Sequence, residues 1–351
     1  MPLLEELRGP GFNNEALDFF LLRSVLSGEL GLERLRKLEW SPYVTDDMAE
    51  RLLAVPVGEG NGVRELRLRG GDERLSPVVG RILGTMPKIR ELELSETEVS
   101  AGDLSGLQGT ARLTRLSVKP GEDSNVDLAK LMASRPEITS ELEVLNLEGR
   151  TFQDHGNQSQ SPDELSDLLS RLPKTLKSLN INTATIHPSH LSELGRLCGH
   201  LTELRLGPGL TFRELESLLI PGLENDEFAE DEREDGGVGI ASKYMTVLSP
   251  IADAVAICRL RRRLASVPAN NPMGVREGRK LKLRYLDIRS MDIEEQRKVK
   301  GSVLLGECCA GLEVIELSES VYLTDERMGR VLGSVGWGVR CRGGRCWIER
   351  K

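Results

Sequence analysis

The sequence predicts an α/β fold built as a solenoid of stacked repeats, each with one short strand followed by a helix. The first observation is a recurring pattern of an apolar residue, two variable residues, a leucine or isoleucine, one variable residue and a last apolar residue. The second is its period, which ranges from 24 residues (Ile89 to Leu113) to 34 residues (Leu142 to Leu176) where copies follow directly. Recurrence at roughly 20 to 30 residues is typical of proteins whose units pack only on their neighbours.

Nine copies of the pattern are predicted to be strands, because each ends in the alternation of apolar and variable residues that one buried face requires. By their apolar positions, the copies are Leu35/Leu38/Trp40, Val63/Leu66/Leu68, Ile89/Leu92/Leu94, Leu113/Leu116/Val118, Leu142/Leu145/Leu147, Leu176/Leu179/Ile181, Leu201/Leu204/Leu206, Leu283/Leu286/Ile288 and Leu312/Ile315/Leu317. This spacing is the mark of a leucine-rich repeat solenoid. We expect a curved horseshoe with parallel strands on its concave side and helices on its convex side.

The start of the chain predicts one more strand and a helix. Residues 4–7 (Leu-Glu-Glu-Leu) resemble the end of a repeat strand. A helix over about residues 14–26 is expected to follow, with Leu17, Phe20, Leu21 and Val25 on one apolar face.

The repeat period indicates a single solenoid domain over residues 1–351, with an insertion at about 221–280 that breaks the period. Within the insertion, residues 224–235 hold eight acidic residues against one arginine. Low hydrophobicity and dense like charge predict a disordered or loosely held loop there.

The last part of the chain is predicted to be a hairpin that closes the solenoid over residues 337–349. Two alternating stretches flank Gly343-Gly344, which suits a two-residue turn. In that register Cys341 faces Cys346 and Val339 faces Ile348.

The composition limits which classes of binding partner and which cellular locations we expect. Charged residues make up 29% of the chain and the formal net charge is -8, which argues against nonspecific binding to nucleic acid or to an anionic membrane. The sequence has no apolar run of membrane-spanning length and only six cysteines, too few for a disulfide scaffold of this size. We therefore expect a monomer that binds a protein partner in the cytoplasm, with the nucleus as the alternative.

The candidate binding residues are the variable positions of the predicted strands, which we expect to be exposed on the concave side where repeat proteins usually bind. They are Glu65, Arg67, Arg69, Glu91, Glu93, Arg115, Asn146, Glu148, Asn180, Asn182, Arg205, Tyr285, Asp287, Arg289 and Glu316. The sign of the charge alternates along this row, and its middle is neutral. That mixture suits a polar protein epitope better than a phosphate backbone, which requires one sign.

The sequence motifs give little support for an enzymatic site or a metal site. The nucleophile-elbow and zinc-protease patterns are absent from the sequence, and no catalytic residue or cofactor is predicted. His187, His190, Cys198 and His200 have suitable ligand chemistry, but their spacing matches no compact zinc pattern, so ordinary packing and capping are expected.

The repeats resemble the ribonuclease-inhibitor-like class of leucine-rich repeats. Together with the irregular period, the insertion and the closing segments Trp337–Arg340 and Gly343–Trp347, the chain is similar to the repeat region of fungal F-box/leucine-rich-repeat proteins. That resemblance implies substrate recognition for a ubiquitin ligase. The decisive departure from the family is that nothing before Leu35 has room for an F-box, and the consensus asparagine after each strand is also missing.

The function predicted from the sequence is a noncatalytic scaffold that binds a protein on its concave strand face. Two alternatives belong to other classes. A regulator of a small GTPase would need an asparagine or arginine on a loop above the strands, and a hydrolase would need a clustered nucleophile and base.

Overall fold

A computed structural model describes much of the chain in two compact units, Met1–Ala184 and Thr185–Lys351. The described residues are 5–9, 15–28, 34–41, 44–58, 62–70, 74–97, 101–107, 109–120, 128–149, 152, 163–220, 257–258, 260–261, 264, 281–306, 309–324 and 328–351. The predicted acidic loop at 224–235, and most of the predicted insertion at 221–280, lie outside them.

The first unit is a sheet of parallel strands that follow one another in sequence order. The strands are β1 (Glu6–Gly9), β2 (Lys37–Trp40), β3 (Glu65–Arg69), β4 (Glu91–Thr97), β5 (Arg115–Pro120), β6 (Val144–Asn146) and β7 (Ser178–Ile181). The helices between them are α1 (Glu15–Ser27), α2 (Asp46–Leu53), α3 (Leu75–Gly84), α4 (Ala101–Leu104), α5 (Leu128–Ser134), α6 (Pro136–Thr139) and α7 (Glu164–Arg171).

The second unit combines parallel strands with a closing hairpin. Its strands are β8 (Glu203–Leu206), β9 (Tyr285–Asp287), β10 (Val314–Ser318), β11 (Trp337–Arg342) and β12 (Arg345–Arg350). Strands β8, β9 and β10 are parallel, whereas β12 is antiparallel to both β10 and β11. Its helices are α8 (Leu191–Cys198), α9 (Phe212–Leu219), α10 (Ile293–Arg297), α11 (Glu319–Thr324) and α12 (Met328–Gly333), with 3₁₀ turns at Pro188–His190, Lys298–Gly301 and Val303–Leu305.

The nine strands predicted from the repeat are confirmed, and equivalent positions of successive repeats lie side by side. In the first unit the paired row is Leu7, Leu38, Leu66, Leu92, Leu116, Leu145 and Leu179. From Leu38 onward these side chains are at most 2% exposed. The extra strand expected before the first full copy is β1, which pairs with β2. Each leucine is therefore covered by its neighbours as well as by its own helix.

A column of equivalent backbone hydrogen bonds fixes where each repeat rejoins the sheet. The N–H of Arg36 donates to Glu5 O at 2.8 Å, that of Arg64 to Arg36 O at 2.8 Å, and that of Arg90 to Arg64 O at 2.8 Å. The column continues with Thr114 to Arg90, Glu143 to Thr114 and Lys177 to Glu143, at 2.7 to 2.9 Å. Because this joint is constant, the variable repeat length is accommodated in the connections between strands.

Side-chain caps determine where several helices begin. Asp163 Oδ1 accepts a hydrogen bond from Ser166 N at 2.6 Å at the start of α7. Thr211 and Glu214 form a reciprocal capping box on α9. Such caps satisfy backbone N–H groups that have no partner inside the helix.

The predicted buried face of α1 is wrong in its phase. Leu17 and Phe20 are exposed, whereas Leu22, Val25 and Leu26 are buried. The helix carries two apolar stripes that share Val25. The stripe that also contains Leu22 and Leu26 packs in the core, and the predicted stripe with Leu17 and Phe20 does not. Helical periodicity alone cannot choose between two stripes that both satisfy it.

The hairpin has the register predicted from the sequence. Cys341 lies opposite Cys346 and Val339 opposite Ile348. Gly343 and Gly344 have φ of 61° and 80°, the left-handed values that a type I′ turn requires at both central positions. Among the helices that the structure describes, none is long and apolar enough to cross a lipid bilayer.

Two adjacent leucines of α2 test how the repeat core contributes to stability. Leu52 is 0% exposed and Leu53 is 41% exposed. We expect Leu52→Ala to lower the free energy of unfolding by about 2 to 5 kcal/mol, because it leaves a cavity between repeats. The matched variant Leu53→Ala should cost less than about 1 kcal/mol. Urea unfolding of both variants measures the difference, and equal losses would contradict the described packing.

Candidate protein-binding face

The polar positions of the first unit form in-register rows on the side of the strands opposite the buried leucines. We call this surface the first-unit strand face. One row contains Lys37, Glu65, Glu91, Arg115, Val144 and Ser178, and the next contains Glu39, Arg67, Glu93, Ser117, Asn146 and Asn180. Neighbouring members are separated by about 4.8 Å, the spacing of paired strands.

Cross-strand ion pairs hold the charged part of this face. Lys37 Nζ donates to Glu65 Oε1, and Arg67 Nε lies 2.7 Å from the same oxygen and 3.5 Å from Glu93 Oε2. Further pairs on this face are Arg69 with Glu39 at 3.3 Å, Arg115 with Glu91 at 3.6 Å and Lys119 with Glu148 at 3.1 Å. Opposite charges on adjacent strands stabilise the pairing and fix the side chains in place.

The carboxyl group of Glu65 has its pKa lowered from the ordinary value. Burial acts to raise this pKa, but the hydrogen bond from Lys37 and the charge of Arg67 together outweigh it. The carboxylate therefore stabilises the folded state in its ionised form.

Amide side chains replace ion pairs in the middle of the face. Asn180 Nδ2 donates to Asn146 Oδ1 at 2.8 Å, and Asn146 Oδ1 also accepts from Glu148 N at 3.1 Å. Asn180 Oδ1 accepts in turn from Asn182 N at 3.2 Å. The two strand asparagines thus tie β6 to β7 through their side chains.

The second unit carries a buried charge cluster on the same side of its strands. The Arg289 guanidinium donates to both oxygens of Asp287, from Nε to Oδ1 at 3.0 Å and from Nη2 to Oδ2 at 2.7 Å. Its Nε also lies 3.0 Å from Glu316 Oε1, an ion pair without hydrogen-bond geometry. The other oxygen of Glu316 accepts a hydrogen bond from the Tyr285 hydroxyl. Two carboxylates from adjacent strands therefore share one guanidinium.

The backbone around Arg289 is fixed by buried polar groups. Gln296 Nε2 donates to the carbonyl oxygens of Arg289 at 3.0 Å and of Met291 at 2.6 Å, while its Oε1 accepts from Ser318 N at 2.9 Å. Ser318 Oγ also donates to the Arg289 carbonyl at 3.2 Å. This support fixes the backbone that carries the guanidinium, whose own hydrogen bonds to Asp287 hold it beside the acids.

The cluster shifts the pKa of both groups that flank the acids. The hydrogen bonds to Asp287 raise the pKa of the Arg289 guanidinium, so it stays charged. Burial raises the pKa of the Tyr285 hydroxyl, and the hydrogen bond to Glu316 raises it further. Tyr285 therefore acts as a neutral hydrogen-bond donor.

The structure brings the predicted binding residues onto these strand faces but corrects their exposure. The expectation that all are exposed is wrong for Asn180, Asp287 and Glu316, which are 5%, 1% and 2% exposed. Neighbouring side chains cover them, Asn146 in the first unit and Arg289 with Tyr285 in the second.

The hairpin contributes side chains to the strand face of the second unit, and none of them was among the predicted binding residues. Strand β12 pairs Trp347 with Glu316 and Arg345 with Ser318, and β11 places Arg340 beside Trp347. The predicted hairpin register already put these side chains on one face. A hairpin strand was expected to close the last parallel strand, and the missing information was that this strand is β12.

The histidine and cysteine group predicted to be ordinary packing has local structural roles. His190 Nδ1 accepts a hydrogen bond from His187 N at 3.1 Å, and Cys198 is buried, which raises the pKa of its thiol to about 12. Within the described part of the chain, no group of three or more His, Cys, Asp or Glu side chains could hold a metal ion.

The described residues define a mixed α/β protein whose strands are mostly parallel and carry polar, partly ion-paired outer faces. Comparison of the sequence with models of known protein families and with curated proteins finds no match.

The pKa of Glu65 generates a prediction about acid stability. Because the folded-state pKa is lowered, the stabilisation is present above the ordinary carboxyl pKa and is lost as the pH falls through the folded-state value. Glu65→Gln should cost about 1 kcal/mol near pH 7, and the difference from wild type should shrink below about pH 4. Urea unfolding across this range tests it, with Glu50→Gln as the exposed control. A pH-independent difference would exclude the ion pair as its source.

The shared guanidinium gives a second prediction. Arg289→Ala would leave Asp287 and Glu316 buried and unpaired, so we expect a loss of about 3 to 5 kcal/mol in unfolding free energy. The matched control is Arg284→Ala, whose pair with Glu313 has side chains 63% and 52% exposed and should contribute less than about 1 kcal/mol. Adding Glu316→Gln to Arg289→Ala should recover part of the loss. Equal costs for the two arginines, measured by urea unfolding, would contradict the described burial.

Proposed function

We propose that this chain is a leucine-rich-repeat solenoid that acts as a noncatalytic scaffold and binds a protein on its strand faces. The observation that carries the proposal is the set of in-register polar rows on the first-unit strand face. Their side chains stand at the fixed spacing of paired strands. A surface of this kind presents a regular array of charges and hydrogen-bonding groups.

Preorganisation supports binding by this face. Arg67 is held by two carboxylates and Asn146 by Asn180, so little side-chain freedom remains to be lost on association. Alternating charge gives specificity, because a wrong partner would place like charges together. A nucleic acid would meet Glu65 and Glu93 within the same rows, and those carboxylates would repel its phosphates.

The narrower form of the proposal is substrate recognition for a ubiquitin ligase in the cytoplasm or nucleus. It is supported by the resemblance of the repeats and of the closing segment Trp337–Arg340 to fungal F-box/leucine-rich-repeat proteins. Recovery of a cullin-ligase adaptor with the full chain would support this form, and its absence from a complex that contains the partner would remove it.

Capture of the partner by the tagged full chain tests the general proposal. Arg67→Ala combined with Asn146→Ala changes the strand face without touching the leucine core. We expect quantitative mass spectrometry to show at least about a tenfold loss of the specific partner, because central polar anchors contribute a large part of binding energy.

The matched control changes the helices of the same unit. Arg51→Ala combined with Arg171→Ala removes exposed charges from α2 and α7 and should leave capture unchanged. Capture that depends on these helix residues and not on Arg67 and Asn146 would contradict binding by the strand face. Circular dichroism melting of both double variants separates loss of binding from loss of fold.

A further inference from the structure

The strand face of the second unit distributes its charges unevenly between the interior and the solvent. We define the second-unit strand face as the outward side chains of β8 to β12. They are Glu203, Arg205, Tyr285, Asp287, Val314, Glu316, Ser318, Arg340, Arg342, Arg345, Trp347 and Glu349, with Arg289 just after β9. The central acids Asp287 and Glu316 are buried, whereas Arg340, Arg342 and Arg345 are exposed.

The buried acids are already neutralised from within the face. Arg289 pairs with both carboxylates, and Arg345 Nη1 lies 3.6 Å from Glu316 Oε1. Arg340 Nη2 donates to Glu349 Oε1 at 2.7 Å, and the side chains of Arg340 and Arg345 are 69% and 52% exposed. Arg342 and Arg345, both exposed beside the hairpin turn, therefore form the basic part of this face, although the whole chain carries a net charge of -8.

Two arginines are held next to each other beside the hairpin turn. Arg342 and Arg345 are directly opposite in the register of β11 and β12. Like charges in that position destabilise the strand pair. The nearby Glu319 carboxylate accepts a hydrogen bond from Gly344 N at 2.8 Å. An anionic group placed between the two guanidinium groups would relieve their repulsion.

Aromatic rings lie among these arginines. Trp347 pairs with Glu316 across β10 and β12, and the Arg340 guanidinium carbon is 5.7 Å from the centre of its ring. The corresponding distance from Arg205 to the Tyr285 ring is 5.3 Å. Tryptophan, tyrosine and arginine are the residues enriched at energetic centres of protein interfaces. The composition favours a polypeptide partner with carboxylates to pair and apolar atoms to stack.

We propose that the second-unit strand face binds an acidic peptide segment of the partner protein, with its carboxylates at Arg342, Arg345 and Arg340 and its chain across Trp347. This inference rests on the proposed function and names the chemistry of the partner. Guanidinium groups pair with carboxylates through two parallel hydrogen bonds, which suits side chains of Asp and Glu. The arginines lie on two adjacent strands about 4.8 Å apart, a patch that matches a short segment.

Fluorescence anisotropy with the full chain tests the proposal. The probe is a fluorescein-labelled peptide of repeating Glu-Gly-Ser, and its counterpart of repeating Gln-Gly-Ser is the neutral control. We expect saturable binding of the acidic peptide only, weakened by salt as exposed charge pairs are. Arg342→Glu should weaken that binding by about tenfold or more, since it removes one attraction and adds one repulsion.

Urea unfolding of the variants distinguishes a loss of peptide binding from misfolding. Arg342→Glu places an opposite charge across from Arg345, so its urea midpoint should be equal to or higher than that of wild type while binding is lost. The conservative variant Arg342→Lys should retain most of the affinity, and the helix variant Arg171→Ala should retain all of it. Lower stability of Arg342→Glu, or affinity that is unchanged in that variant, would overturn the proposal.

Two further outcomes would also overturn it. One is failure of the wild-type chain to bind the acidic peptide, and the other is equal or tighter binding of a single-stranded oligonucleotide that is lost in the same variant. Partner capture that still depends on Arg67 and Asn146 would show, in either case, that the proposed scaffold function stands without this inference.

Discussion

The structure depends on the lateral pairing of one leucine per repeat. In the first unit, Leu38 pairs with Leu66, and the same contact is repeated up to Leu145 and Leu179. No single repeat could bury its leucine alone, because the strand is short and its helix covers only part of it. Once the leucines are paired, the period-two geometry of the strand places every intervening side chain on the opposite face. The polar rows are therefore a geometric consequence of the core.

The strand faces of the two units arrange their charged side chains differently. In the first unit, acids and bases lie beside one another on the face, and Glu65 pairs with Lys37 on the adjacent strand β2 and with Arg67 two positions along β3. In the second unit, two acids lie below the surface and one arginine lies between them. The first arrangement leaves a mixed surface, and the second leaves arginines facing solvent. The two faces therefore differ in the chemistry that each presents.

Much of the fold was predictable because its signals are local in sequence. The pattern around Leu142 to Leu147 specifies a strand within six residues, and Gly343-Gly344 specifies both the turn and the register of its hairpin. The burial of Glu316 was not predictable in this way. It occupies the same alternating position as the half-buried Arg67 and Asn146 of other strands, and it is covered by Tyr285, which lies 31 positions away. The buried face of α1 was predicted wrongly for a related reason, since two apolar stripes fit the helical period and only packing against the neighbouring helices α2 and α3 distinguishes them.

Distances along a polar row test the central claim most directly. Glu39 and Asn146 occupy the same row of the first unit, four strands apart. Spin labels attached there should report, by pulsed electron paramagnetic resonance, a narrow distribution centred near the backbone separation of about 19 Å, allowing for the label arms. A broad distribution, or one centred beyond about 30 Å, would show that the strands are not stacked in register.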